Sequence, residues 1–116
     1  MKIKIKSIDL NNDISLLDYR PDRIDDFSIS ITFTIGEEET EGGDLFLVNA
    51  CAPKWLSKNV NEGLWGRHIL IVEKYDPHII ASFVNSHIER IEESSWIESA
   101  EKISRFMQWE FEDYQQ

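Results

Sequence analysis

One stretch, Leu45-Phe46-Leu47-Val48-Asn49-Ala50-Cys51-Ala52-Pro53-Lys54-Trp55-Leu56, constrains the fold of this chain more than any other. Residues 45–50 form an apolar run with the length of a strand. It is too apolar for the edge of a one-sided sheet, which places it centrally. Cys51 and Ala52 are small enough for close packing at the corner where the run ends. Pro53 fixes φ for a first helical position, where its missing N–H costs nothing. Trp55 and Leu56 are then expected to fold back as a lid on one end of the core. Residues 69–72, Ile-Leu-Ile-Val, are the natural neighbour of this strand.

The other segments arrange themselves around that pair. Residues 2–8 alternate, with Ile3 and Ile5 on one face and Lys2, Lys4 and Lys6 on the other, as in a half-buried strand. Residues 9–26 are mostly polar, with Asn11-Asn12-Asp13 as a turn signal and Leu16, Leu17 and Tyr19 as anchors for an ordered loop. Residues 27–35 keep an unbroken period of two: Phe27, Ile29, Ile31, Phe33 and Ile35 against Ser28, Ser30, Thr32 and Thr34. Gly36 and Gly42-Gly43 bracket Glu37-Glu38-Glu39-Thr40-Glu41, which reads as a hairpin with an acidic tip. Residues 69–75 read as the strand that follows the Gly63-Leu64-Trp65-Gly66 loop. Asp76-Pro77 then opens a helix whose Ile79, Ile80, Phe83, Val84, His87, Ile88 and Ile91 form one apolar stripe. Ser95 and Glu98 fit a capping box for a second helix, with Trp96, Ala100, Ile103 and Met107 on one face. Residues 109–114 fit either a short strand or a continued helix.

Strands first and helices last indicate a single α+β domain over residues 1–116. Its expected form is a mainly antiparallel sheet of about four to five strands with two C-terminal helices packed on one face. With 22 acidic and 12 basic side chains the formal net charge is −10. A surface so negative repels phosphate backbones, which argues against nucleic-acid binding, and speeds encounter with a basic partner. The one cysteine excludes an internal disulfide framework and fits a reducing, cytoplasmic compartment. The N-terminus lacks the pattern of a signal peptide, and no apolar run approaches the ~20 residues of a membrane span.

Catalytic signatures are missing from the pattern. His68, His78 and His87 lack the spacing of a helical metal site, and Cys51 has no cysteine partner, so neither a metal nor a cofactor is expected. His87, inside the apolar stripe, fits a core or boundary position. Cys51 with His68, both near strand ends, is the one nucleophile–base pairing that suggests itself, without a third orienting group. The glycines match neither phosphate-binding pattern. Aromatics carry more information. Trp55 and Trp96 fit packing positions, whereas Trp65 stands between glycines in a loop. Trp109, Phe111 and Tyr114 interleave with Glu110, Glu112 and Asp113, a combination suited to a basic protein surface or to docking of the terminus on the sheet.

Several segments together resemble a known family. They are Cys51-x-Pro53-x-Trp55-Leu56, Gly66-Arg67-His68 before the run ending Glu73-Lys74-Tyr75-Asp76, and Trp109-Glu110-Phe111-Glu112-Asp113-Tyr114, with Tyr19-Arg20-Pro21 and Phe27-Ser28 earlier. In this order they resemble the Imm8 family of bacterial immunity proteins, over nearly the whole chain. The resemblance implies a small cytosolic antitoxin that binds and neutralises the toxic domain of a secreted effector in polymorphic-toxin and contact-dependent competition systems. It carries over no catalytic residue. If the toxin is a nuclease, an acidic inhibitor can occupy its basic site as a phosphate mimic. The expected contact residues are Glu37, Glu38, Glu39, Glu41, Trp65, Trp109, Glu110, Glu112, Asp113 and Tyr114, and neither a membrane nor a small-molecule substrate is expected. The alternatives are a small enzyme using the Cys51/His68 region and a self-associating structural module.

Overall fold

In a computed structural model, which describes residues 1–10 and 14–112, the chain forms five strands and three helices. These are β1 (Ile3–Leu10), β2 (Ser28–Glu37), β3 (Asp44–Cys51), α1 (Pro53–Asn59), β4 (Ile69–Ile71), α2 (Pro77–Glu89), α3 (Trp96–Ile103) and β5 (Gln108–Trp109). The sheet order is β1-β2-β3-β4, with β5 also paired to β3. The Asn11-Asn12-Asp13 turn signal lies outside the described residues.

The period of two in β2 sets the layering. Ile31, Phe33 and Ile35 are fully buried, while Ser28, Ser30, Thr32 and Thr34 lie half-exposed on the opposite face. β3 pairs antiparallel along its whole length with Ser28–Ile35 of β2 and sets Phe46 beside Phe33 and Val48 beside Ile31 on the inward side. β1 reaches the same face by a different route. Its apolar residues change parity, Ile3 and Ile5 and then Ile8 and Leu10, so a regular strand would turn half of them to water. A bulge between Ile5 and Ser7 absorbs Lys6, and Ile5 pairs with Ile35 while Ile8 pairs with Phe33. All four then share the core side.

α2 and α3 cover that face, as the sequence predicts. Asp76 Oδ1 accepts from the amides of His78 (3.0 Å) and Ile79 (3.2 Å), and Pro77 occupies the first turn. Ser95 Oγ accepts from the Glu98 amide at 3.2 Å. The second half of the capping box differs: the Glu98 carboxylate takes the Ser94 and Ser95 hydroxyls instead of the Ser95 amide. The α2 stripe is two adjacent rows rather than one. Ile80, Val84 and Ile88 are buried, whereas Ile79, Phe83 and His87 remain exposed. Met107 is buried although α3 has ended four residues earlier, at Ile103.

Several expectations are corrected. β4 spans three residues rather than seven and runs parallel to β3, because α1 and the following loop carry the chain back to the level of Asn49 before it re-enters the sheet. β3 is central, but its outward Leu45 is exposed and Leu47 half-exposed, so only one of its faces is sealed along its whole length. α1, which starts at Pro53 as its fixed φ predicts, precedes the two C-terminal helices. Its Trp55 and Leu56 form no lid on the main core. Lys54 pairs with Asp25 (3.7 Å) and Lys58 with Asp26 (2.6 Å), which holds α1 on the loop before β2. In that loop Leu16 is buried and Tyr19 packs on the core, but Leu17 is exposed. The chain end takes the strand form at Gln108–Trp109 and then turns.

Tyr75 ties this loop down. Its hydroxyl donates to the Leu16 carbonyl at 2.6 Å, its amide donates to the Ile24 carbonyl at 2.6 Å, and its ring meets Tyr19 and Phe27 edge-on. Burial pushes its phenol up from the ordinary value of 10, with Tyr19 acting in the same direction and Arg20 against it. The folded state thus favours the neutral phenol, so the contribution is intact below pH 10 and is lost as pH rises through the raised value. Tyr75→Phe is expected to cost about 1–3 kcal/mol in urea denaturation near neutral pH, through the stranded Leu16 carbonyl. The difference from the parent protein should shrink above the phenol's titration.

The hairpin between β2 and β3 needs glycine at both shoulders. A Cβ on Gly36 would sit 2.5 Å from the Gly42 carbonyl oxygen, and one on Gly43 would strike the Ile35 carbonyl. Gly36→Ala should lower stability by about 1–3 kcal/mol. Gly63→Ala, where a Cβ meets nothing within 4 Å, should leave the same urea midpoint nearly unchanged.

Candidate functional site

Three surfaces hold the candidate residues, and the structure treats them differently. The first is the β2–β3 hairpin. Glu38, Glu39 and Glu41 are exposed and Glu37 half-exposed. Thr40 closes the turn, its amide and hydroxyl both donating to the Glu37 carbonyl at 3.2 Å, and the Lys6 ammonium donates to the Thr40 carbonyl. Gly42 adopts φ +73°, a conformation that glycine enters at no steric cost. No hydrogen bond or ion pair engages the four carboxylates among the described residues, and they project as free anions. A shallow cleft continues the acidic surface toward α2, lined by Glu38, Glu89 and Glu92 together with Lys2 and Lys4.

The second surface is the C-terminal strap, whose polar groups are largely spent on the chain itself. Asp44 Oδ2 accepts from both the Trp96 indole (2.9 Å) and the Trp109 indole (3.0 Å). Between them lies Phe46, stacked on Trp109 at 6.3 Å and edge-on to Trp96 at 6.2 Å. Glu110 grips Leu45 twice: its amide donates to the Leu45 carbonyl at 3.0 Å, and its carboxylate accepts from the Leu45 amide. Glu112 pairs with the Arg67 guanidinium and lies 4.0 Å from His68 Nε2. Trp109, Glu110 and Glu112 therefore fasten the strap to β3 and to the loop before β4. Asp113 and Tyr114 lie outside the described residues.

Sequence reasoning missed Asp44. Its signal was available in principle: Trp96 and Trp109 each carry an indole N–H that needs an acceptor once the ring packs, and an acid opens β3. Trp65, by contrast, stands where the loop reading puts it, 93% exposed and beside the exposed Leu64.

The third region is the Cys51/His68 end of the sheet. Cys51 is fully buried, and burial raises its thiol above the ordinary range, the reverse of an activated nucleophile. His68 adopts φ +61° and turns its Nε2 to the Ser104 carbonyl at 3.3 Å, while its own carbonyl accepts from the Asn49 amide at 3.0 Å. Among the described residues no hydrogen bond joins the thiol to the imidazole. Among them, too, no cluster of histidine, cysteine and carboxylate side chains is arranged to hold a metal ion, and no helix is long and apolar enough to cross a membrane.

His87, expected at a core or boundary position, lies exposed on α2. Its exposed ring stacks on Phe83 (5.2 Å, 29°) and meets Phe106 edge-on (5.3 Å, 67°). These rings line a groove between β4 and α2 of about 300 Å³, floored by Val48, Leu70 and Val84.

What the molecule presents is therefore contact chemistry: free anions on a hydrogen-bonded hairpin, a projecting indole and an apolar groove. The comparison with known families agrees with that character. The chain belongs to the Imm8 family, described as Immunity protein 8, whose family model matches residues 3–114. The family is one of immunity proteins, which supports an immunity role for this chain. Among curated proteins and among solved structures nothing matches the chain.

Asp44 should prove the structural centre of the strap. Asp44→Ala is expected to cost about 2–3 kcal/mol in thermal or urea unfolding, since two indole donors lose a charged acceptor. It should also shift tryptophan fluorescence as Trp96 and Trp109 become wetter. Asp44→Asn keeps a carbonyl oxygen for both donors and should recover most of that loss.

Proposed function

We propose that this protein protects the cell by binding a cognate secreted toxin domain and occluding it, with the acidic hairpin facing a basic surface of that domain. The observation that carries the reading is the family match over residues 3–114. The net charge of −10 supports the chemistry of the partner: a cationic face, such as the phosphate-binding surface of a nuclease, is drawn to this molecule from a distance. Glu37, Glu38, Glu39 and Glu41 make the first electrostatic contact. Trp65 supplies aromatic contact area, being large, exposed and already stripped of internal contacts. Trp109, Glu110 and Glu112 act behind this surface by holding the strap in place. The protein works in the cytoplasm, where a buried thiol with no disulfide partner is at home. It works by occupancy and forms no covalent intermediate.

The test uses the toxin domain that this reading expects in a neighbouring reading frame. Reversing Glu37, Glu38, Glu39 and Glu41 to lysine should slow association by roughly 10–100-fold at low salt and flatten its dependence on ionic strength. Stopped-flow or surface-binding kinetics read both quantities, and growth of toxin-expressing cells reads protection. Unchanged association and unchanged protection would rule out steering by the hairpin. Failure of the parent protein to bind the domain or to rescue cells would contradict the immunity reading itself.

A further inference from the structure

We propose that the groove between β4 and α2 is the anchoring site for the toxin domain, taking an apolar side chain presented by that cationic partner. This rests on the immunity reading above and adds where on the molecule the partner is held.

The groove follows from the topology. β5 occupies one part of the outer edge of β3 and β4 another, and β4 is the last strand on that side. β4 is only three residues long, so the sheet ends abruptly and α2 overhangs it. Among the described residues, His87 is the one lining residue with a polar side chain. Around the opening, Ile71 is 57% exposed and Phe83 51%, and Ile79 extends the same helical row at 58%. Single exposed apolar side chains are ordinary on any protein. Several of them gathered about one concavity, with aromatic rings fixed against each other at its rim, mark a contact site. A metabolite would need more than one polar group to orient it.

Charge decides between the remaining occupants. Two copies of this chain carry −10 each, so burying this face in a homodimer works against their repulsion. A cationic protein meets no such barrier. Across α2 from the groove lies the cleft of Glu38, Glu89 and Glu92, where Lys2 and Lys4 offset part of the charge. A partner straddling α2 thus places an apolar anchor on one flank and cations on the other, the arrangement of a dry centre with a charged rim.

The experiment measures affinity and rate constants for the same purified toxin domain that the immunity reading expects. It compares the parent protein with Phe83→Ala, Ile71→Ala, the double variant and Phe83→Arg. Ile97→Ala, an isoleucine 55% exposed on α3 and outside the groove, serves as the control. Each single alanine variant should weaken binding by about 10-fold, mainly through faster dissociation. Phe83→Arg should weaken it further, because it sets a like charge against the cationic partner. The control should bind as the parent does, and all variants should keep the parent's unfolding midpoint to within a few degrees. Parent-like binding by both the double variant and Phe83→Arg overturns the proposal while leaving the immunity reading intact. Absence of binding by the parent protein defeats that reading, and the anchoring site with it. A concentration-dependent dimer of the parent, lost in the double variant by sedimentation, would make a second copy the occupant and overturn the proposal.

Discussion

The architecture depends on how the outer edge of β3 is divided. Its inner edge is paired along its whole length with β2. Its outer edge is shared: Phe46 and Leu47 take β5, and residues 49–51 take β4. This sharing brings the end of the chain beside the loop that leads into β4, so that Arg67 can meet Glu112 and His68 can meet Ser104. It also stops the sheet short at β4, which leaves the groove beneath α2. Neither element has enough length to hold its place by backbone pairing alone. β5 relies on Asp44 and the Phe46 ring, and β4 on the crossover through α1 and on Leu70 against the core.

Much of this was legible in the sequence, and the parts that were not share a cause. The unbroken alternation of residues 27–35, the Asp76-Pro77 start and the Ser95 cap are local signals, and each marks the element it predicts. The short strands, the parallel pairing and the placement of α1 depend on contacts between distant residues that no local period records. Lys58 reaching Asp26 is one such contact, and Glu110 gripping Leu45 is another. The α2 stripe shows the limit most clearly. Seven apolar or aromatic positions at helical spacing announce a buried face, but one row is enough to cover the sheet. The second row, with Ile79, Phe83 and His87, is left facing outward.

The candidate contact residues divide along the same line. Acids in the hairpin stand free because the tight turn, with Gly36 and Gly43 at its shoulders, lifts them clear of the sheet. Glu110 and Glu112 are consumed in fastening. From composition alone the two clusters look equivalent; the difference is that the strap carboxylates have β3 and Arg67 beside them, whereas the hairpin carboxylates meet no partner among the described residues. In the proposed division of labour the immobile carboxylates build the surface, the free ones recruit the partner, and the apolar groove retains it. Recruitment acts over a distance set by ionic strength, whereas retention requires contact, so the two properties are separable in kinetics.

Hydrogen–deuterium exchange of the protein with and without the toxin domain tests this division most directly. Protection gained at the Glu37–Gly42 tip, along Ile69–Ile71 and in the Phe83–His87 turns of α2 is the predicted result. Protection confined to the open Ser28–Thr34 face of the sheet, or none anywhere while the toxin is nonetheless inactivated, would contradict it.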